Sequence, residues 1–301
     1  MPRREPREGF LQIQGQSRAD ELRLHYWDWD GGQPALLCVH GITANGRYWD
    51  TLAQRVAGRH RLVALDLRGR GLSDKPAAGN YGWEQHASDV AAAARALGVG
   101  PAIVVGHSLG GYVATLLAAR EPALVHGLVV VDAGIDLDEA TLRVQIGTSL
   151  KRLAMVFASR EAYVEYWRQV PYLLWTPAFE HYLSADIEQR ADGTVVSRTL
   201  AECVEEDLLY FFRPGRVEWF SRTARQVPAP AVVCWATDGL SDPRQPLMSR
   251  RGVEGLARLL PRARFVPIEG TNHYTILLAP AAVDRLVGEI EALVAPANSA
   301  R

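Results

Sequence analysis

At 301 residues, 48% of them hydrophobic, the chain can hold one large α/β domain or two smaller ones around a sizeable core. A formal net charge of −1, with no block of five or more like charges, argues against a general nucleic-acid or membrane-surface binder. Cys38, Cys203 and Cys234 are scattered and show no metal-ligand spacing, and no apolar run reaches the roughly 18 residues that span a bilayer. The charged, proline-bearing residues 1–8 do not read as a secretory signal, so a cytoplasmic protein without an integral membrane segment is expected.

In chain order, residues 9–29 read as two strands followed by a Gly31-Gly32 turn. A continuous apolar strand at 35–39 ends at His40-Gly41, and Trp49, Leu52, Ala53 and Val56 share one helical face. A second buried strand at 62–67 opens into the loop Arg68-Gly69-Arg70-Gly71-Leu72-Ser73. An alanine-rich helix over 83–97 is closed by Gly98. Ile103, Val104 and Val105 form a β-branched strand that runs into Gly106-His107-Ser108-Leu109-Gly110-Gly111. A helix follows to residue 120, then a strand at 128–131 ending at Asp132. This alternation implies a parallel sheet with crossover helices. It is interrupted by residues 136–226, which read as helical and aromatic, and resumes with a strand at 231–235, a helix at 253–260, a strand at 264–268 and a helix at 281–293.

The Gly-x-Ser-x-Gly run carries the chemistry. A serine at a strand-to-helix turn stands exposed above a sheet, beside the free N–H groups and positive dipole end of a helix, which suits a nucleophile that must stabilise negative charge. Such a hydroxyl needs an adjacent base.

These motifs in this order resemble the α/β-hydrolase family over nearly the whole chain: His40-Gly41, Asp66-Leu67-Arg68-Gly69-Arg70-Gly71-Leu72-Ser73, the Ser108 elbow, a helical insertion, then Asp238 and His273 in loops after strands. The similarity is closest to capped serine esterases and lipases, to carboxylesterases and to C–C bond hydrolases. It implies an α/β fold with a mostly parallel eight-stranded sheet flanked by helices. The core would comprise 9–135 and 227–295, with a helical cap at 136–226 inserted after the sixth strand and flexible tails at 1–8 and 296–301.

The resemblance further implies Ser108 as nucleophile and His273 as base. Asp238 would be the orienting acid, with Asp132 and Asp242 as alternatives. The loop bearing Asp238 is one residue short of the common form, and Ala236 replaces its usual glycine. The oxyanion hole would be the backbone N–H groups of Ile42 and Leu109. Gly41, His107 and Tyr274 would border the substrate. Asp66 and Arg68 read as structural, and His40 as fixing the oxyanion loop.

Thirteen of the chain's 25 aromatic residues fall in the 91-residue cap, so some of them, such as Trp167, Trp175 and Phe211, should line an apolar pocket. The expected substrate is a small hydrophobic ester or lactone, cleaved through an acyl-enzyme with no cofactor and no metal; oligomeric state is left open. Ser108 excludes the haloalkane dehalogenases and epoxide hydrolases of this fold, which use aspartate at the elbow. Two other readings stay open. One is C–C cleavage of a vinylogous diketone, whose enzymes usually place tryptophan where this chain has Tyr274. The other is a non-catalytic ligand-binding protein of the same fold.

Overall fold

The computed structural model describes residues 3–14 and 21–294. The first strands are β1 (Arg7–Gln14), β2 (Glu21–Trp29), β3 (Leu36–Val39), β4 (Leu62–Leu65), β5 (Ala102–His107) and β6 (Val125–Val131). An inserted region contributes β7 (Val156–Phe157), β8 (Ile187–Gln189) and β9 (Val195–Ser197), and the main chain path resumes with β10 (Ala231–Ala236) and β11 (Ala263–Ile268). The main sheet has eight strands in the order β1-β2-β4-β3-β5-β6-β10-β11. Pairing is antiparallel at β1/β2 and β2/β4 and parallel from β4 to β11.

Every residue of β3, β4, β5 and β10 is buried, as continuous apolar strands require when both faces are covered. The period of two then divides them between two cores. Leu37, Val39, Val104, Val130 and Val233 face one side, and Leu36, Cys38, Val105, Val131 and Cys234 face the other. On the first side lie α2 (Trp83–Ala96), α3 (Leu109–Arg120) and α9 (Arg250–Leu259); on the second lie α1 (Asp50–Val56), the short helix Thr275–Leu278 and the long helix Pro280–Val294. Trp83 stacks on Tyr112 with ring centroids 4.7 Å apart and an interplanar angle of 14°, tying α2 to α3 behind the elbow.

The insertion carries α4 (Glu139–Leu153), α5 (Arg160–Arg168), α6 (Pro177–Asp186), α7 (Ala201–Phe211) and α8 (Arg216–Ala224). Ser159 and Thr176 cap α5 and α6 by accepting from the N–H three residues on. The insertion is not purely helical: β7, β9 and β8 pair as a small antiparallel sheet. Its tight turn is Asp192-Gly193, with Gly193 at φ 86° and the Thr194 N–H on the Asp192 carboxylate. An Asp-Gly pair beside Val195-Val196 is a hairpin signal that the helical reading passed over.

Residues 3–8 are not a free tail. Arg7 and Glu8 belong to β1, and Arg4 exchanges hydrogen bonds with the Gln54 side chain at 3.0 and 2.7 Å. Residues 1–2 and the expected tail at 296–301 lie outside the described residues. Among the described residues no helix is long and apolar enough to cross a membrane.

Candidate active site

Ser108 sits between β5 and α3 at φ 54° and ψ −121°, a conformation that side-chain-bearing residues rarely adopt. Two glycines permit the turn by having no Cβ: one on Gly106 would overlap the Gly110 carbonyl, and one on Gly110 would overlap the Val39 carbonyl. Val39 ends β3, so this close approach brings the loop after β3 against the serine. Leu109 opens α3, where its N–H has no carbonyl four residues back to bond within the helix.

His273 follows β11. Its Nδ1 lies 2.6 Å from Asp132 Oδ2, and both residues are buried. With Asp132 ionised, Nδ1–H donates to the carboxylate, which leaves Nε2 with its lone pair. Asp132 stands at the end of β6 with φ 51°. Its N–H donates to the Cys234 carbonyl at 2.8 Å, and its Oδ1 accepts from the Ala236 N–H at 3.0 Å. The carboxylate is therefore fixed from the neighbouring strand β10.

The expectation that Asp238 faces His273 is corrected here. Asp238 Oδ1 accepts from the adjacent Thr237 hydroxyl at 2.8 Å, and its N–H bonds the Thr271 carbonyl. Asp242 also misses the histidine. Its carboxylate is occupied by the Arg244 N–H, the Arg244 guanidinium and Gln245. The reason is geometric: β6 lies between β5, which carries the serine, and β10, so its end is the nearer support. The left-handed backbone of Asp132 turns the side chain toward the histidine loop. In the sequence that aspartate is indistinguishable from a plain strand end.

The loop after β3 is held from several sides. His40 Nε2 accepts from the Leu67 N–H at 3.0 Å, so His40 Nδ1–H donates to the Gly41 carbonyl at 2.8 Å. Burial pulls the His40 imidazole down to about 4, and it is neutral at pH 7. Asp66 accepts from the N–H groups of Gly46 and Leu72 and bonds His25, which ties the loops after β3 and β4 to each other and to strand β2. His107 Nε2–H donates to the His273 carbonyl at 2.9 Å, with ring centroids 4.5 Å apart. Burial first, then the neighbouring His273, push His107 well below its usual value. His107 thus braces the His273 loop as an uncharged group.

Both rings titrate near 6.5 once unfolded. Below that pH the unfolded chain binds protons that the folded chain refuses, so stability falls as pH drops from about 6.5 toward 4. Each such histidine steepens the fall by up to about 1.4 kcal/mol per pH unit. His40→Gln is expected to flatten the unfolding free energy by about that slope in denaturant titrations across this window. An unaltered slope would mean that His40 is charged in the fold.

Ser108 and His273 open into one cavity of about 380 Å³. Gly41, Ile42, His107, Trp167 and Tyr274 line it. So do Tyr48, Leu142, Ile146, Ser149, Tyr172, Phe179 and Tyr182. Of these, Tyr48 was missed because a core-facing helix start gives no functional signal. The Tyr48 hydroxyl donates to the Tyr274 carbonyl at 2.8 Å, and Tyr274 stacks on Tyr172 of the insertion. Trp175 and Phe211 do not line the cavity. Trp175 packs on Phe179 and donates to Glu180, and Phe211 packs on Trp83 and Tyr112 in the main core. No Lys or Arg lines the cavity among the described residues; its one carboxylate, Asp242, is already bonded to Arg244. No cluster of metal-ligating side chains occurs among the described residues.

The family described as alpha/beta hydrolase fold matches residues 34–158. A solved structure of E-2-(acetamidomethylene)succinate hydrolase superposes with a TM-score of 0.76 over 94% of this chain and 100% of its own, at 24% identity. The chain is an α/β-hydrolase-fold protein. The matched family region holds Gly41, Ile42, Ser108 and Asp132, while His273 lies beyond it. Two curated relatives share parts of this hydrolase-fold chain. 2-(Acetamidomethylene)succinate hydrolase of Mesorhizobium japonicum is 43% identical over 102 residues, 34% of this chain and 36% of the relative. Lipase LipV of Mycobacterium tuberculosis is 38% identical over 123 residues, 40% of this chain and 46% of the relative. The matches thus span less than half the length of these relatives.

Proposed function

We propose that the protein is a serine hydrolase of neutral, largely apolar carboxylic esters or lactones. The observation that carries this reading is the His273–Asp132 pair at 2.6 Å beside a serine held at a strained elbow in the same cavity. Ser108 Oγ attacks the ester carbonyl while His273 Nε2 takes its proton, and Asp132 stabilises the resulting imidazolium. The tetrahedral oxyanion is received by the N–H groups of Ile42 and Leu109. Collapse expels the alkoxide, which takes the proton from His273, and leaves an acyl-Ser108. Water then attacks the acyl carbon, gives its proton to His273, and the acid departs as Ser108 regains a proton.

The lining supports an uncharged substrate. A carboxylate carried into a cavity without a cationic partner would lose its hydration uncompensated. The relative named for a succinate acts on a dianion, and this cavity offers no charged partner for one among its described lining residues.

The test is a fluorophosphonate probe together with p-nitrophenyl butyrate and its hemisuccinate counterpart. Ser108 should be labelled, and kcat/KM should favour butyrate by about tenfold or more, equivalent to about 1.4 kcal/mol. Preference for the hemisuccinate would overturn the neutral-substrate reading. No labelling would leave a ligand-binding protein, and faster turnover of a ring-cleavage dienol would make it a C–C hydrolase.

A further inference from the structure

The insertion meets the core near the site through a polar stripe. Cys203, Glu206, Asp207 and Tyr210 recur at the spacing that puts them on one face of α7. Glu206 accepts from the N–H groups of Gly79 at 2.8 Å and Tyr81 at 3.1 Å, and the Tyr210 hydroxyl donates to Glu84 in the first turn of α2. Asp207 is sealed from solvent. Its Oδ2 lies 2.7 Å from Arg70 Nη2 and 2.9 Å from His86 Nε2. Burial pushes its carboxyl up, but His86 and Arg70 outweigh that and hold it below the usual range.

Arg70 is equally buried, and it bridges the loop after β3, its own loop and helix α7. Nε donates to the Ile42 carbonyl at 3.0 Å, Nη1 to the Arg68 carbonyl at 3.1 Å and Nη2 to the Cys203 carbonyl at 3.4 Å. A guanidinium is planar, so orienting one edge orients the other. Once Asp207 and Cys203 of α7 fix the Nη2 end, Nε is aimed at Ile42. The Ile42 carbonyl belongs to the same short loop as the Ile42 N–H, to which the mechanism above assigns the oxyanion, and Ile42 lines the cavity with Ser108.

We propose that Arg70 is a positioning residue through which helix α7 of the insertion sets the backbone of Ile42, so that seating of the cap and competence of the oxyanion loop are one event. A cap that lifts α7 from the core withdraws Asp207, frees the guanidinium and releases Ile42. The consequence for rate rests on the serine-hydrolase reading above; the mechanical coupling does not.

Two variants test it. Arg70→Lys keeps the charge facing Asp207 but has no planar fork to span Asp207 and the Ile42 carbonyl together. The double variant R70M/D207L removes both charges, so neither is left buried and alone. Hydrogen exchange of residues 40–46 is expected to quicken about tenfold or more in both, while α3 stays protected. On p-nitrophenyl butyrate kcat should fall about 10–100-fold with KM within about twofold, and fluorophosphonate labelling of Ser108 should slow by the same factor.

Unchanged exchange at 40–46 in either folded variant overturns the coupling. Faster exchange with kcat and labelling unaltered overturns its link to the oxyanion. Should exchange quicken while wild-type Ser108 resists the probe, the coupling stands and the hydrolase reading falls.

Discussion

Asp132→Asn is expected to lower kcat on p-nitrophenyl butyrate by about 10⁴-fold, whereas Asp238→Asn and Asp242→Asn stay within about threefold of wild type. The asymmetry follows from which oxygen meets the imidazole. Asp132 Oδ2 accepts from His273 Nδ1–H, so the free lone pair is on Nε2, where a nucleophile's proton must go. An asparagine amide would present N–H to Nδ1, shift the tautomer, and leave Nε2 protonated and useless as a base. Among the described residues Asp238 bonds only Thr237 with its side chain, and it can lose its charge without the histidine responding. Folding should tolerate Asp132→Asn because Oδ1, which accepts from the Ala236 N–H, is retained as the amide oxygen. Equal losses in Asp132→Asn and Asp238→Asn, with both variants folded, would sink the pairing.

The second large effect is at the elbow. Ser108→Ala should remove turnover by about 10⁴–10⁶-fold and abolish labelling. Ser108→Gly should do the same while raising the unfolding free energy by about 1 kcal/mol, because φ 54° costs a glycine nothing and a serine about 1–3 kcal/mol. The hydroxyl makes no helix-capping bond that its loss would forfeit. Urea titrations of the three proteins separate the two effects. A glycine variant no more stable than wild type would show that the elbow is not strained. Asp132, also at positive φ, presents the same opposition of backbone ease and side-chain placement.

Much of this site was legible in the chain. Gly106 and Gly110 declare a sharp turn at Ser108 because only residues without a Cβ on either side of it let β5, α3 and the end of β3 meet so closely. His273 is betrayed by its place just after the last strand. His40 and Asp66 read correctly as structural because both sit where strands open into loops, and their hydrogen bonds hold those loops. The small sheet of the insertion was also readable, from Asp192-Gly193, but two- and three-residue strands are too short to display a period.

What the sequence by itself determined is local: the alternation that builds the sheet, the elbow and its glycines, and the two cores divided by strand period. Each depends on neighbours in the chain, and propensity and periodicity report such neighbours. The tertiary structure alone decided three things. It chose Asp132 over Asp238, since strand order and a left-handed backbone set which carboxylate reaches His273. It sent Phe211 into the core and Tyr48 to the cavity, since a helical stripe shows that a face is buried and not against what. It joined Arg70 to Asp207, 137 positions apart, to place Ile42. Contacts at such separation leave no local pattern, because nothing in the spacing of either residue specifies the distance between them in the fold.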